Sequence, residues 1–146
     1  MNPGNLFETR VLAAEGYIEL GMPLDANAEL ELIDPERRDE SKVLALRVRV
    51  YAALEKWELM QTVAKVLAQR EPDNVQWTAS WAYATWRTGC LNAARLIMVN
   101  AVERQPGVAI FHYNLACYEC QLGNLDVARR GYSGPLNWSP SPGSGR

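Results

Sequence analysis

Residue types on which enzymes rely are scarce in this chain of 146 residues. It contains a single histidine, and it has no glycine-rich phosphate loop, no GxSxG motif and no paired carboxylates in a predicted cleft. No nucleophile therefore has an evident base beside it. The sequence predicts a protein that is not an enzyme.

Cysteine is also rare, with three residues at unpatterned spacing. Cys117 and Cys120 form a C-x-x-C pair, but structural zinc needs about four ligands, and neither Cys90 nor His112 stands at a spacing that completes a site. A redox pair is expected at a helix amino terminus after a strand, whereas this pair falls within a predicted helix. We therefore expect no metal and no cofactor.

Long apolar runs are missing as well. No stretch of about 18 apolar residues is present, so a membrane-spanning helix is not expected. The amino terminus lacks the basic start and apolar stretch of a secretory signal. Together with the odd number of cysteines, these features predict a cytoplasmic protein without membrane contact.

Positive charge is not clustered anywhere in the chain, so phosphate contacts and nucleic acid binding are not expected. The formal net charge is −2, but the segment 1–38 alone carries eight acidic residues against three arginines, a balance of −5. An acidic end followed by a mildly basic remainder could orient a charged partner, or could merely keep the chain soluble.

What the chain does contain is an internal repeat. Three pairs of identical residues share one spacing in its second half: Gly89 and Gly123, Ala94 and Ala128, Pro106 and Pro140. Pro72 precedes Pro106 by the same interval. A fixed period of this length, about 34 residues, is typical of repeat arrays in which each unit is one helix pair that cannot bury its apolar face alone.

Within each unit the apolar residues follow the spacing of amphipathic helices. Trp77, Trp81, Ala84 and Thr88 fall on one stripe, and Phe111 begins the same spacing in the next unit. The glycines that follow are expected to adopt the left-handed conformation that ends a helix. Proline then stops each second helix at three dipeptides: Asp34-Pro35, Glu71-Pro72 and Gln105-Pro106.

These residues make the chain resemble the tetratricopeptide repeat family, whose motif reads W-x2-L-G-x2-Y, A-x3-F, A and P over about 34 residues. The third unit matches through Trp81, Ala82, Gly89, Leu91, Ala94, Met98, Ala101 and Pro106. The fourth matches through Tyr113, Leu115, Ala116, Gly123, Leu125, Ala128, Tyr132 and Pro140. The second is degenerate, since Arg47 stands where the pattern has leucine and Met60 where it has alanine.

The resemblance implies an all-α fold, a right-handed superhelical stack of about four antiparallel helix pairs with the last pair incomplete. The predicted units span approximately residues 5–35, 39–72, 73–106 and 107–132. Residues 133–146 are rich in glycine, serine and proline and are predicted to form a flexible tail. Pro135 stands where the motif has a helical alanine, so the last helix is expected to fray near Tyr132.

In tetratricopeptide arrays the first helices of successive pairs line a concave groove. The resemblance places there Lys42, Ala45, Arg49 and Ala52 from the second unit, Gln76, Ala79, Tyr83 and Arg87 from the third, and Ile110, Tyr113, Cys117 and Gln121 from the fourth. Trp86 points toward the same side, as an anchor, a subunit contact or a packing residue. Arginine and tyrosine side chains together could hold an acidic or aromatic peptide. Alternatively, the tyrosines could only pack against the next helix.

Three functions remain open on this basis. The leading hypothesis is a non-enzymatic interaction module or scaffold that binds a peptide segment of a partner protein in its groove. The second is a small cytosolic secretion-type chaperone, because tetratricopeptide proteins of similar size bind extended segments of exported partners. The third is a self-associating structural oligomer, such as a homodimer, whose tail and groove bind another copy.

Overall fold

The computed structural model describes residues 3–123, and over that range the chain is all helical, without strands. Its helices are α1 (Pro3–Glu19), α2 (Pro23–Glu31), a short 3-10 helix (Pro35–Arg37), α3 (Ser41–Ala53), α4 (Trp57–Arg70), α5 (Val75–Arg87), α6 (Leu91–Arg104) and α7 (Ala109–Gln121). The predicted helix around Leu125, Ala128 and Tyr132 and the predicted tail 133–146 lie outside the described residues.

The turns after α1, α3, α5 and α7 share one backbone conformation. The residues with a positive φ are Gly21 at 74°, Glu55 at 56°, Gly89 at 93° and Gly123 at 85°. Their positions are evenly spaced, at the interval that separates the repeated residues of the sequence. The left-handed conformation predicted for Gly89 and Gly123 is therefore confirmed, and Glu55 adopts it in the one of these four turns that has no glycine.

The hydrogen bonds at these turns repeat as well. After α1 the amide of Met22 donates to the carbonyl of Tyr17 at 2.8 Å, and the amide of Gly21 donates to that of Ile18 at 3.0 Å. This pair of bonds is the Schellman motif, which satisfies carbonyls left free at a helix end. The same two bonds recur at the same interval: Lys56 to Tyr51 with Glu55 to Ala52, and Cys90 to Thr85 with Gly89 to Trp86.

Proline marks the end of two helices as predicted. Helix α4 ends at Arg70, before Pro72, and α6 ends at Arg104, before Pro106. At Pro35 the expectation was wrong, because α2 has already ended at Glu31 and Pro35 instead opens the 3-10 helix. The Asp34 side chain accepts a hydrogen bond from the amide of Glu36 at 3.3 Å, so Asp34 and Pro35 start a helix here.

Three apolar clusters hold the helices together, and each joins helices that are close in sequence. The first lies among α1, α2 and α3, the second among α3, α4 and α5, and the third among α5, α6 and α7. The main helix contacts join neighbours in the chain, and α1 also packs on α3. The core is thus a row of local clusters that share α3 and α5.

Arg47, the residue that departs from the repeat pattern, is buried, with 9 % of its surface exposed. Its guanidinium lies 3.1 Å from the Glu31 carboxylate, 3.2 Å from the side-chain oxygen of Asn27 and 3.3 Å from the Tyr51 hydroxyl. A buried cation is tolerated when it is paired and hydrogen-bonded, as here. The polar residue therefore joins α2 to α3 where an apolar one would pack.

Candidate functional site

An open pocket of about 300 Å³ lies where α1, α3 and α5 meet. Its lining consists of Glu15, Lys42, Ala45, Leu46, Arg49, Gln76 and Trp77. Four of the residues placed in the groove by the repeat pattern, Lys42, Ala45, Arg49 and Gln76, are thus brought together. We call this the α1–α3–α5 pocket.

Helix α3 presents the two cations of the pocket on one face. Lys42, Ala45 and Arg49 are spaced i, i+3 and i+7, so they follow each other along the helix surface. The intervening residues Val43 and Leu46 point into the first core cluster. Burial of the apolar stripe therefore orients the polar stripe toward the pocket.

Both cations contact acidic residues of α1. The ammonium of Lys42 is 3.3 Å from the Glu8 carboxylate, and the guanidinium of Arg49 is 3.6 Å from that of Glu19. All four side chains are more than 40 % exposed, so each pair contributes only about 0–1 kcal/mol. A ligand carboxylate could replace either glutamate at little net cost.

The pairing of α3 cations with acidic residues of α1 beside the pocket was not anticipated from the sequence. Glu8, Glu15 and Glu19 are spaced i, i+7 and i+11, which places them on one side of α1. This spacing was the available signal, but such glutamates are most often merely solvated. In the fold two of them pair with α3 and Glu15 lines the pocket itself.

The floor of the pocket includes Trp77, which is only 7 % exposed and belongs to the second core cluster. Its indole nitrogen donates to a carboxylate oxygen of Glu71 at 3.2 Å. The sequence assigned Trp77 to the core, and its burial confirms this. It also lines the α1–α3–α5 pocket.

Tyr83 and Trp86 belong to a ladder of aromatic rings. The centroid of the Tyr83 ring is 5.6 Å from that of Trp57 and 5.5 Å from that of Trp86, and both pairs meet edge to face. Trp86 in turn lies 6.1 Å from Tyr118 of α7. These distances are those of favourable ring packing. Both residues are half-buried, and each therefore contributes to the join between neighbouring helices.

Arg87 packs against several rings of this ladder. Its guanidinium lies 4.6 Å from the centroid of Trp57 and 5.8 Å from that of Trp86, and it donates to the Tyr83 hydroxyl at 3.4 Å. The Glu55 carboxylate is 3.8 Å away. Arg87 also borders an open pocket of about 380 Å³ lined by Glu55, Lys56, Trp57, Glu58, Leu59, Arg87 and Thr88.

Two groove positions lie against the core. Ala52 is half-buried against the second core cluster, and Ala79 is half-buried against the third. Both are small residues at places where neighbouring helices approach each other. They therefore contribute little surface to a ligand.

The fourth unit supplies less of the predicted groove than expected. Cys117 is 1 % exposed, so its assignment to the groove surface is corrected. Residues 116–119 are all buried, so over this turn of α7 the helical spacing no longer distinguishes a groove face. Tyr113 is half-buried, whereas Ile110 and Gln121 are exposed, and none of the three lines the α1–α3–α5 pocket.

Burial also changes the acid–base chemistry of α7. Tyr118 is 3 % exposed, and desolvation raises the pKa of its hydroxyl well above the ordinary value. The neighbouring Glu119 is buried as well, with its carboxylate 3.3 Å from the guanidinium of Arg95 on α6. A charged pair thus joins α6 to α7 beside the aromatic ladder.

Two further features of residues 3–123 bear on function. No three His, Cys, Asp or Glu side chains in this part of the chain lie together as a metal ion would require. None of the helices found there is both long and apolar enough to cross a membrane.

No model of a known protein family matches the chain, and no curated protein matches it. A function therefore has to rest on the arrangement of the chain's own residues. The α1–α3–α5 pocket is the place where the sequence-predicted residues meet.

Proposed function

We propose that the chain is a tetratricopeptide-like repeat protein that binds an extended peptide segment of a partner protein along α1, α3 and α5. In this proposal it is a non-enzymatic cytoplasmic module built as a right-handed stack of about four helix pairs. The support for the repeat is one turn conformation, with the same hydrogen bonds, that recurs at a constant interval along the chain. The support for binding is the α1–α3–α5 pocket.

The charges of this pocket favour a particular kind of peptide. Lys42 and Arg49 are seven positions apart on α3, which corresponds to about 10.5 Å along the helix axis. A peptide in the extended polyproline II conformation has about three residues per turn and rises about 3.1 Å per residue, so side chains three positions apart lie on one face and about 9 Å from each other. A segment with two acidic side chains three positions apart therefore matches both cations.

Glu15 adds a condition to this match. Because its carboxylate lines the same pocket, a further acid between the two anchoring residues would be repelled. The favoured ligand is therefore a segment whose two outer positions are acidic and whose inner positions are neutral or basic. Gln76 can donate to or accept from the peptide backbone, since its side chain carries both kinds of group.

A selection experiment tests the proposal. A random peptide library displayed on phage is panned on the wild-type chain, and the enriched peptides are then measured against the double variant Lys42→Gln, Arg49→Gln. We expect acidic pairs three positions apart to be enriched and their affinity to fall severalfold in the double variant, since two exposed charge-assisted contacts are lost.

The matched control is Arg70→Gln. Arg70 forms a comparable exposed pair with Asp39 at 3.8 Å but does not line the pocket. Its substitution should leave peptide affinity unchanged, and circular dichroism should show the same helix content in all variants. Equal binding by wild type and double variant would contradict the proposal, as would the failure of any peptide to be enriched.

A further inference from the structure

A second pocket, of about 220 Å³, lies among α4, α5 and α6 and shares no lining residue with the α1–α3–α5 pocket. Trp81 of α5 borders it, together with Ala68 of α4, with Pro72 in the turn that follows α4, and with Leu96 and Ile97 of α6. We call this the Trp81 pocket. The sequence assigned Trp81 only to the core, but the residue is half-buried and part of it faces this opening.

The size and the walls of the Trp81 pocket suit one large apolar side chain. A cavity of about 150 Å³ lined by apolar side chains is sufficient to bind benzene. Leu96, one of its walls, is 52 % exposed, so apolar surface remains open to solvent there. A phenylalanine or leucine from another molecule would remove this surface from water, which is the main source of affinity at an anchor pocket.

The pocket also has polar lining residues, and a lysine lies beside it. Gln69, Asn100, Arg104 and Gln105 line it, and no aspartate or glutamate does. The ammonium of Lys65 lies 5.8 Å from the centroid of the Trp81 ring, one helical turn before Ala68. Arg104 is paired with Asp73 at 2.9 Å, whereas none of the ion pairs formed within residues 3–123 involves Lys65.

We propose that the Trp81 pocket is a second binding site, which takes an acidic segment of a partner protein by inserting one phenylalanine or leucine against Trp81 and pairing a neighbouring carboxylate with Lys65. The apolar walls provide the anchor, and the complementary charge selects acidic over basic segments. This site is independent of the peptide proposed for α1, α3 and α5.

The probes are two short synthetic peptides that differ only in charge: acetyl-Asp-Glu-Phe-Asp-amide and acetyl-Lys-Lys-Phe-Lys-amide. Each is titrated into the full ¹⁵N-labelled chain while the indole N–H signals of its five tryptophans are followed by NMR. Trp81→Phe identifies the signal of Trp81. We expect the acidic peptide to shift that signal saturably and the basic peptide to leave it unchanged.

Four variants test the assignment of the contacts. Lys65→Glu should weaken the acidic peptide at least tenfold, because attraction becomes repulsion, and Leu96→Gln should weaken it severalfold by removing an apolar wall. Lys56→Glu reverses another exposed lysine, one that neither lines the pocket nor contacts the Trp81 ring, and should change nothing. The variant Lys42→Gln, Arg49→Gln should retain the full response of Trp81, which separates this site from the α1–α3–α5 pocket.

Several outcomes would overturn the proposal. They are the absence of a saturable shift of the Trp81 signal, equal binding of the two peptides, and an unchanged affinity in Lys65→Glu. A Trp81 signal that moves with protein concentration in the absence of peptide would also overturn it, since a second copy of the chain would then occupy the pocket. Because Lys65 and Leu96 are both exposed, these variants should keep the fold.

Discussion

The turn between α3 and α4 allows the repeat to be tested through one substitution, Glu55→Gly. Glu55 has a φ of 56°, and a non-glycine residue in this region costs about 1–2 kcal/mol. The substitution removes that cost, but it also removes the ion pair with Arg87. The two charged groups are 3.8 Å apart, and the Glu55 side chain is 71 % exposed. Such a pair contributes about 0–1 kcal/mol. Glycine also has a larger conformational entropy in the unfolded chain, which costs about 0.4–1 kcal/mol, so we expect a net stabilisation of about 0.5 kcal/mol.

Glu55→Ala separates the two contributions. Alanine loses the ion pair but keeps the Cβ atom that the left-handed conformation disfavours, whereas glycine loses both. The glycine variant should therefore be more stable than the alanine variant by about 1 kcal/mol, even after the larger conformational entropy of glycine in the unfolded chain is included. In melting temperature this corresponds to about 3–5 °C.

Gly89→Ala provides the reverse change at the equivalent turn. No atom lies within 4 Å of a Cβ added to Gly89, so the expected loss of about 1 kcal/mol comes from its φ of 93° alone. Urea unfolding followed by circular dichroism at the helix band measures all three variants. A Glu55→Gly variant no more stable than Glu55→Ala would overturn this explanation, since the turn would then carry no left-handed strain.

Three further predictions concern buried polar groups. Arg47→Leu should keep or raise the free energy of unfolding, since leucine restores the repeat pattern and frees Glu31 for water. Arg47→Ala should lower the free energy of unfolding by about 2 kcal/mol through the lost packing, and urea titration distinguishes the two variants. Because the pKa of Tyr118 is raised in the folded chain, only the unfolded chain ionises this hydroxyl just above about pH 10, so the free energy of unfolding falls as the pH rises further. Tyr118→Phe should reduce that fall by up to about 1.4 kcal/mol per pH unit, and an equal fall in both proteins would contradict this. In the native chain a thiol reagent should modify the exposed Cys90 quickly and the buried Cys117 only on unfolding, and rapid modification of Cys117 would show that its burial is wrong.

The helices could be predicted from the sequence because local signals specify them. Apolar spacing marks the core face of α5, and Gly89 marks the turn that follows, since both depend on residues close in the chain. Glu55 could not be recognised as a turn residue by its type, because glutamate rarely adopts a positive φ. Only its position one repeat interval before Gly89 indicated it.

The candidate site was predicted in part. Lys42 and Arg49 were placed on a shared surface because helical spacing alone determines which residues of α3 are neighbours. Their partners Glu8 and Glu19 lie on another helix, and pairing between helices depends on how the helices pack. Cys117 was misplaced for the same reason, since its burial depends on what surrounds α7 and not on its place in the repeat.

Binding of a peptide along α1, α3 and α5 can be located by NMR mapping of a peptide that the library selection enriches. We expect saturable shifts of the Gln76 side-chain amide and the Trp77 indole N–H, together with the backbone amides of Lys42 and Arg49. Saturable shifts confined to other parts of the chain, with these groups unchanged, would show that the peptide binds elsewhere and that the proposed function of this pocket is wrong.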